Sequence, residues 1–366
     1  MEANVSFGIR HEETDVTSSS VVPEYSHILW TSGTDMEAVA TGNKISNSRT
    51  ASYDNTLPSF DFSMDVLDNL KVRASYSETI ARQGYDNLKG GTTIQKLVRS
   101  NKLENGQTGT GSSGNPGLEP LESENTDFSV EYYYGDLSYL SVGYFSKDVS
   151  GYVGTGKQYV SSQGLTNPAF TASGGPVVFD DTGTQQGGAN NELAIFEVSG
   201  PALSDRTETI DGIELTIQHD FADADLFGLS LDGFGVIANY TIVDSDADYK
   251  NTTPNSLSDT QFAIVGISDS ANLIGYYEDE DVSVRVAYNW RDRFLNFSGG
   301  SSGYTEEYES VDMNVSYNID ENISLTYDGI NLTEEGRRTF ERNNPAYVTW
   351  VSQGHAKHFV GLRWKY

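Results

Sequence analysis

The sequence of 366 residues contains no cysteine. This absence excludes disulfide bonds, thiol catalysis and cysteine-based metal sites. No apolar run approaches the roughly 18 residues that a transmembrane helix needs, which argues against a helical membrane protein. Positive charge is scarce, because 23 Lys and Arg residues stand against 53 Asp and Glu residues, for a net charge of −30. Since phosphate binding needs clustered Lys and Arg, we expect no nucleic-acid partner.

Hydrophobic residues make up only 37% of the chain, whereas Tyr and Phe number 22 and 16 and Gly numbers 36. This composition leaves two all-β classes open, a soluble β-rich protein and a transmembrane β-barrel. The barrel stays open because its strands place only every second residue against lipid. Abundant Tyr favours the barrel, since aromatic side chains with a polar tip form the girdles at membrane interfaces.

The last twelve residues of the chain, His355 to Tyr366, contain a strand with a two-residue period. Apolar or aromatic side chains alternate with the small or charged residues Gly361, Arg363 and Lys365. This alternation predicts a strand with lipid on one face and a polar lumen on the other. The apolar positions are Val360, Leu362, Trp364 and Tyr366.

Alternating segments of the same kind recur along the chain, mostly in pairs joined by a short polar turn. With the C-terminal strand they number about twelve, and each is long enough to cross a bilayer when tilted. The apolar alternation of the other predicted strands lies at residues 4–16, 60–66, 70–76, 128–132, 140–144, 213–217, 234–242, 271–277, 282–290, 311–319 and 323–327.

Short turns and long connections alternate between these strands. Outer-membrane barrels have short periplasmic turns and long extracellular loops. With a periplasmic C-terminus, every short turn here is predicted to be periplasmic and every long connection extracellular. The first long connection is expected to contain a hairpin of its own around residues 28–30 and 38–40. The long connections are residues 17–56, 83–121, 150–205, 245–267, 296–307 and 334–354.

Charged residues within the predicted strands fall on the polar positions of the alternation. A charge against lipid is costly, whereas one toward a water-filled lumen is not. These residues therefore favour an all-β fold, a transmembrane antiparallel up-and-down β-barrel, over a soluble sheet. They are Arg73, Glu131, Glu214, Arg285 and Arg291.

Several stretches of the chain resemble the C-terminal barrel half of TonB-dependent outer-membrane receptors. The resemblance is nearest to the large receptors of Caulobacter- and Xanthomonas-type bacteria, many of which are linked to carbohydrate scavenging. The stretches are LPSFDFSMDVLDNLKVRASYSETIAR at 57–82, NPGLEPLESENTDFSVEYYYGDLSYLSVGYFSKDVSGYV at 115–153, DGIELTIQHDF at 211–221, ENISLTYDGINLTEE at 321–335 and the terminal HFVGLRWKY.

The resemblance implies a barrel of about 22 strands with a plugged lumen, of which this chain supplies the last twelve. Residues 1–366 are interpreted as the C-terminal part of that barrel, without the plug domain, the TonB-contacting segment and the signal peptide. The resemblance also implies that Val360, Leu362, Trp364 and Tyr366 form the signal that the barrel-assembly machinery reads. In the family the last residue is most often Phe, so Tyr366 is a mild departure.

The implied function is active uptake of a scarce nutrient across the bacterial outer membrane, energised by the TonB–ExbB–ExbD complex. An oligosaccharide is the favoured ligand, with siderophores and cobalamin left open, and lipid and lipopolysaccharide surround the barrel. The alternatives are a passive twelve-stranded channel, a soluble β-rich binding protein and, most remotely, an enzyme barrel. A plug encoded in frame upstream of Met1 would separate receptor from channel, and a detergent requirement would separate both from the soluble protein.

Aromatic residues in two of the long connections are the candidate ligand contacts. They lie among Gly, Ser, Thr, Asn and Gln, and aromatic rings beside amides and hydroxyls suit the faces and hydroxyl groups of sugars. For any single one of them, ordinary loop packing is the alternative explanation. The candidates are Tyr85, Tyr152, Tyr159, Phe170, Phe179 and Phe196.

Two patterns suggest a metal but fit none. The run Asp244, Asp246 and Asp248 lacks the Gly and Glu that complete an EF-hand loop, because Tyr249 and Asn255 occupy those positions. The five His residues show no spacing typical of metal ligands. We therefore predict no metal, no cofactor and no catalytic residue, and we do not expect an enzyme.

Overall fold

The protein is described by a computed structural model that covers residues 2–30, 35–95, 97–99, 107–166, 178–179, 185–186, 193–204, 207–222, 224–245, 265–297, 303–341 and 344–365. Within these ranges no helix is long and apolar enough to cross a membrane. The strands, in chain order, are β1 (Ala3–Trp30), β2 (Asp35–Leu67), β3 (Leu70–Ala81), β4 (Thr92–Ile94), β5 (Leu97–Arg99), β6 (Gln107–Ser113), β7 (Leu121–Tyr133), β8 (Tyr139–Ser150), β9 (Val153–Thr166), β10 (Val178–Phe179), β11 (Gln185–Gln186), β12 (Leu193–Leu203), β13 (Glu208–Asp220), β14 (Asp225–Leu226), β15 (Leu229–Ser230), β16 (Phe234–Ser245), β17 (Ser270–Glu278), β18 (Val282–Arg291), β19 (Phe294–Phe297), β20 (Gly303–Thr305), β21 (Tyr308–Asn318), β22 (Ile323–Ile330), β23 (Arg337–Glu341), β24 (Val348–Ser352) and β25 (Lys357–Trp364).

Thirteen of these strands form one antiparallel sheet, in which β5 pairs with β2 to one side of the main path. The other twelve follow one another up and down, and we call them the main sheet. Their order is β1-β2-β3-β7-β8-β13-β16-β17-β18-β21-β22-β25, so each strand lies beside the next strand of this sheet in the chain. The prediction of an all-β antiparallel up-and-down fold is confirmed. In the described part of the chain, β1 and β25 each have one neighbour within this sheet, so the sheet has two free edges.

The register of the main sheet aligns the apolar residues of neighbouring strands across its whole width. Ile213, for example, lies opposite Tyr144 on one side and Ile242 on the other. Leu325 lies between Tyr317 and Leu362. Because side chains alternate across a sheet, these residues share one surface, which we call the apolar face. Many of its large side chains are exposed, and Phe7, Leu273 and Trp364 are 85%, 48% and 70% exposed.

The opposite surface, the polar face, carries the charged side chains of the strands. Asp61 pairs with Ser75, and Ser75 pairs with Asp127 on the next strand. Arg73, Glu131, Glu214, Arg285 and Arg291 all lie on this face by register, as the alternation predicts. An exposed apolar face opposite a polar face requires two solvents, and lipid outside a wet lumen supplies them.

Short turns join the strands at one end of the main sheet, the turn end, and long connections lie at the other, the loop end. The first long connection differs from its prediction. Residues 17–56 are not an excursion with a small hairpin but the continuation of β1 and β2, paired from Thr17↔Thr50 to Trp30↔Met36. The expected pairing near residues 28 and 38 is present, since Ile28 lies opposite Ala38. The long two-stranded part of this hairpin, residues 10–57, is called the ribbon.

The ribbon extends far beyond the membrane-spanning part of the sheet. At about 3.3 Å per residue, the 28 residues of β1 span roughly 90 Å. A tilted transmembrane strand needs only about 9–11 residues. The tip of the ribbon therefore lies several tens of ångströms outside the bilayer.

Described parts of the connections 83–121 and 150–205 form a second sheet against the ribbon tip. This sheet has the order β4-β6-β12-β9, and β12 runs parallel to β6 and antiparallel to β9. Together with the ribbon tip it forms what we call the loop body. Its core contains eight buried residues: Ile28, Met36, Ala38, Ile94, Leu165, Ala194, Phe196 and Val198. At the connections 296–307 and 334–354, four described strands form a further sheet in the order β19-β20-β23-β24, and Phe340 of β23 is buried there.

Candidate ligand-binding surfaces

The polar face of the main sheet carries hydrogen-bonded chains of side chains. The Arg73 guanidinium donates to Glu131 at 2.7 Å, and the Tyr133 hydroxyl donates to the other Glu131 oxygen at 2.7 Å. Further along the sheet, Asn272 donates to Asn289 at 2.6 Å and Asn289 donates to Asp312 at 3.1 Å. Charged and polar side chains are costly to transfer from water into lipid, so this face suits water or a polar occupant.

A cavity of about 410 Å³ lies on the polar face between β1, β2, β3, β7, β8 and β13. Its polar lining includes Asp61, Arg73, Asp127 and Glu214. Three of these four side chains are acids. The wall therefore offers hydrogen-bond acceptors more than anion-binding groups.

The solvent-facing side of β9 and β12 carries an ion pair with a neighbouring aromatic residue. Lys157 Nζ lies 2.9 Å from Glu197 Oε1, and the Tyr159 hydroxyl donates to Glu197 Oε2 at 3.3 Å. The hydrogen bond to Glu197, with its negative charge, raises the pKa of Lys157. Tyr159 is 46% exposed, so its ring presents a face to solvent beside groups that bind hydroxyls.

A second cavity, of about 210 Å³, lies where the ribbon meets the loop body. Arg49 of the ribbon, Asn115 and Gln158 contribute side chains, and Gly114, Gly156 and Gly200 contribute backbone. An added Cβ at Gly200 would lie 2.4 Å from the Ser113 carbonyl oxygen. Glycine is therefore required there for the strands to approach so closely.

The six predicted ligand contacts have different surroundings. Tyr85 is 92% exposed in a turn after β3, and Tyr152 is half-buried between β8 and β9. Phe196 is fully buried in the core of the loop body, one strand away from Tyr159, so its ring packs against Ile28 and Met36 rather than presenting a surface. Phe170 lies outside the described residues. Phe179 lies in β10, where only its backbone is described.

One contact of the loop body was not predicted from the sequence. Gln163 accepts a hydrogen bond from the Tyr25 amide at 2.8 Å and donates to the Pro23 carbonyl at 2.9 Å. A side-chain amide thereby pairs with the β1 backbone as a neighbouring strand would. Gln163 has a φ of 52°, an uncommon conformation for a residue other than glycine. No local sequence signal indicates a contact between residues about 140 positions apart.

The aspartate run and the histidines are the two sequence patterns that suggest a metal. Asp246 and Asp248 lie outside the described residues. Within the described ranges, no three His, Cys, Asp or Glu residues are grouped as a metal site would require. His358 bonds instead to the Tyr327 hydroxyl, at 2.9 Å.

The C-terminal strand lies at an edge of the main sheet with its apolar side chains outward. Val360, Leu362 and Trp364 are 74%, 72% and 70% exposed and lie opposite Tyr327, Leu325 and Ile323. Tyr366 lies outside the described residues.

Aromatic rings border the apolar face at the turn end. Tyr132 stacks on Tyr134 at 6.0 Å between ring centroids, and Tyr134 stacks on His219 at 5.7 Å. Phe234 and Tyr277 form another pair at 4.6 Å. Such a girdle marks the level of the lipid headgroups. The two-faced sheet and its girdle define the class of the protein, an outer-membrane β-barrel wall.

The chain belongs to the TonB-dependent receptor-like β-barrel family, whose pattern matches residues 3–332. Proteins of this family lie in the bacterial outer membrane, with the short turns facing the periplasm and the long connections facing outward. No curated protein sequence matches the chain.

Solved structures with the same fold are distant in sequence. The ferric enterobactin receptor PfeA of Pseudomonas aeruginosa is 15% identical, with a TM-score of 0.54, over 90% of this chain and 44% of its own. The siderophore receptor PirA of Acinetobacter baumannii is 15% identical, with a TM-score of 0.56, over 90% of this chain and 45% of its own. The hemophore receptor HasR of Serratia marcescens is 11% identical, with a TM-score of 0.56, over 100% of this chain and 49% of its own. The chain thus spans about half the length of these structures.

Proposed function

We propose that the chain forms part of an active-transport receptor that takes up a scarce, hydroxyl-rich nutrient, an oligosaccharide, across the outer membrane. The proposal rests on one combination: a sheet that belongs to the receptor β-barrel family carries a folded loop body with its own core outside the membrane. The implied partners are the TonB–ExbB–ExbD complex, the barrel-assembly machinery, and the lipid and lipopolysaccharide around the barrel. In the family, energy delivered through TonB displaces the plug that closes the lumen.

The distribution of charge supports a neutral ligand over an anionic one. An anionic ligand such as a ferric siderophore needs free Arg or Lys side chains. At the loop end, several of the cations are already paired with carboxylates. Arg82 lies 2.6 Å from Glu12, Lys157 lies 2.9 Å from Glu197, and Arg338 lies 2.8 Å from Glu306. With a net charge of −30, the whole chain repels anions.

A second candidate function is uptake of a siderophore or of haem. It is favoured by the names of the structural neighbours, which are receptors for ferric enterobactin, for a siderophore and for a hemophore. At 11–15% identity these neighbours support the fold, and their ligands do not transfer to this chain.

Uptake by intact cells tests the proposal. Cells that carry or lack the gene would be given labelled oligosaccharides or labelled ferric siderophores, with and without a functional TonB. We expect oligosaccharide uptake to require both the gene and TonB, and siderophore uptake to be unaffected. Gene-dependent uptake that persists without TonB would instead identify a passive channel, and a selective loss of siderophore uptake would identify the second candidate.

Single substitutions refine the test. Tyr159→Ala removes an exposed ring and is expected to raise the half-saturating oligosaccharide concentration about tenfold, the effect of roughly 1.4 kcal/mol of lost binding. Ser161→Ala changes another exposed residue of β9 and should leave the half-saturating oligosaccharide concentration unchanged. Equal values for the two variants would remove Tyr159 from the binding surface.

A further inference from the structure

The connection between β13 and β16 differs from the other short turns of the main sheet. Its tip is a small hairpin in which Leu226 lies opposite Leu229, with Phe227 and Gly228 as the two turn residues. Leu226, Phe227 and Leu229 are 53%, 98% and 71% exposed. The other four short turns each carry an aspartate at the tip, and these are Asp68, Asp136, Asp281 and Asp320.

The hairpin is two-faced. Leu226 and Leu229 share one face, and the backbone bond from the Leu231 amide to the Ala224 carbonyl, at 2.9 Å, places Ala224 and Leu231 on that face as well. Asp225 lies opposite Ser230 on the other face. One surface of the hairpin is therefore wholly apolar and the other polar, and both are solvated in the isolated chain.

The turn itself holds a bulky residue in a conformation that costs free energy. Phe227 has a φ of 54° and Gly228 a φ of 82°, the signs of a type I′ turn, whose first position is normally Asn, Asp or Gly. A bulky side chain at positive φ is unusual and marks strain. The Phe227 side chain is nearly fully exposed at the tip of the hairpin. In the described part of the chain, no packing contact explains why a Phe stands at this position.

The hairpin emerges directly from the aromatic girdle. Each of its two strands is joined to the main sheet by a tight turn. The Ala224 amide donates to the Phe221 carbonyl at 2.9 Å, and the Phe234 amide donates to the Leu231 carbonyl at 3.0 Å. Phe221 lies 4.5 Å from His219 between ring centroids, and Phe234 pairs with Tyr277. The hairpin therefore begins one tight turn away from aromatic residues that border the lipid-facing surface of the sheet.

We propose that the 224–231 hairpin lies in the headgroup region of the periplasmic phospholipid leaflet, with Leu226, Phe227 and Leu229 inserted and Asp225 toward water. Continuity with the girdle favours lipid over a protein partner. Size favours it too, because three side chains cover far less than the roughly 800 Å² per partner of a stable protein–protein interface. This surface is independent of the ligand that the receptor imports.

The absence of cysteine makes a direct test possible, because one introduced thiol is unique. The full chain carrying Phe227→Cys or Leu229→Cys would be labelled with an environment-sensitive fluorophore. It would then be reconstituted in vesicles of phosphatidylethanolamine and phosphatidylglycerol. Quenching by nitroxide-labelled lipids and by aqueous iodide would be measured. Asp136→Cys, at the tip of another short turn, is the matched control.

We expect the probes at 227 and 229 to be quenched by lipid carrying the nitroxide near the headgroup, and to be shielded from iodide several-fold relative to the probe at 136. Adding Leu226→Ser should reverse both effects at 229, because it interrupts the apolar face. Iodide quenching equal to that at 136 would overturn the proposal. Shielding from iodide without quenching by nitroxide lipid would also overturn it, since a protein surface would then cover the tip.

Discussion

The side-chain amide of Gln163 pairs with the backbone of Tyr25, accepting its N–H at 2.8 Å, while the same amide donates to the adjacent carbonyl of Pro23. The ribbon is a two-stranded structure, and such hairpins are marginal in water unless something covers an edge or a face. Gln163 occupies the free edge of β1 near the ribbon tip. The contact therefore connects the longest strand pair of the protein to the loop body.

Replacing Gln163 with Ala should loosen the ribbon tip. The change leaves a half-buried backbone donor and a neighbouring carbonyl without their partner, which costs about 1–3 kcal/mol. Since 1.4 kcal/mol is a tenfold change, hydrogen exchange at the Tyr25 amide should accelerate about tenfold or more. Gln158→Ala, on the same strand but at an exposed position, is the control. Unchanged exchange at Tyr25 in the Gln163 variant would contradict the role given to this contact.

Phe196→Ala should destabilise the loop body without directly removing a ligand contact. The ring is fully buried, and truncating a buried Phe typically costs about 3–5 kcal/mol. Limited proteolysis of the 150–205 connection should therefore become much faster. Tyr159→Ala, one position along the paired strand on the exposed side, should leave proteolysis unchanged. If the two variants are cleaved at equal rates, Phe196 is not a core residue of the loop body.

An arginine at Leu215 should be costly in a membrane. Leu215 lies on the apolar face between Val142 and Tyr240, near the middle of β13. A charge at the bilayer midplane of a barrel costs about 2–4 kcal/mol. Urea unfolding of the chain in vesicles should show this loss for Leu215→Arg. The adjacent Thr216 lies on the polar face, so Thr216→Arg should cost much less, and equal losses would mean that the faces are assigned wrongly.

Replacing Trp364 and Tyr366 with Ala should impair insertion of the barrel. Trp364 is exposed on the apolar face of an edge strand, where the assembly machinery would engage it. The amount of heat-modifiable protein in outer membranes reports insertion. The double variant should lose most of this signal, whereas Arg363→Ala and Lys365→Ala, on either side of Trp364, should keep it. A normal heat-modifiable band from the double variant would refute the predicted signal.

The loop end shows where sequence reasoning reaches its limit. Residues 17–22 and 46–50 contain mainly Ser, Thr, Asn, Arg and Val, so no apolar alternation indicates a strand. They are extended because their backbones pair in register with each other. Phe196 was expected on a binding surface, yet Ile28, Met36 and Val198 enclose it in the same core. Which side of a loop aromatic faces solvent depends on segments far away in the chain.

The sequence by itself determined the spanning strands of this protein, their short turns and the assignment of their two faces. These features are local, because each spanning strand must alternate apolar residues toward lipid with polar residues toward the lumen. Only the tertiary structure decided the length of the ribbon, the core of the loop body, the Gln163 contact and the exposed apolar face of the 224–231 hairpin. They depend on backbone pairing and packing between distant segments, which leave no periodic mark in the sequence.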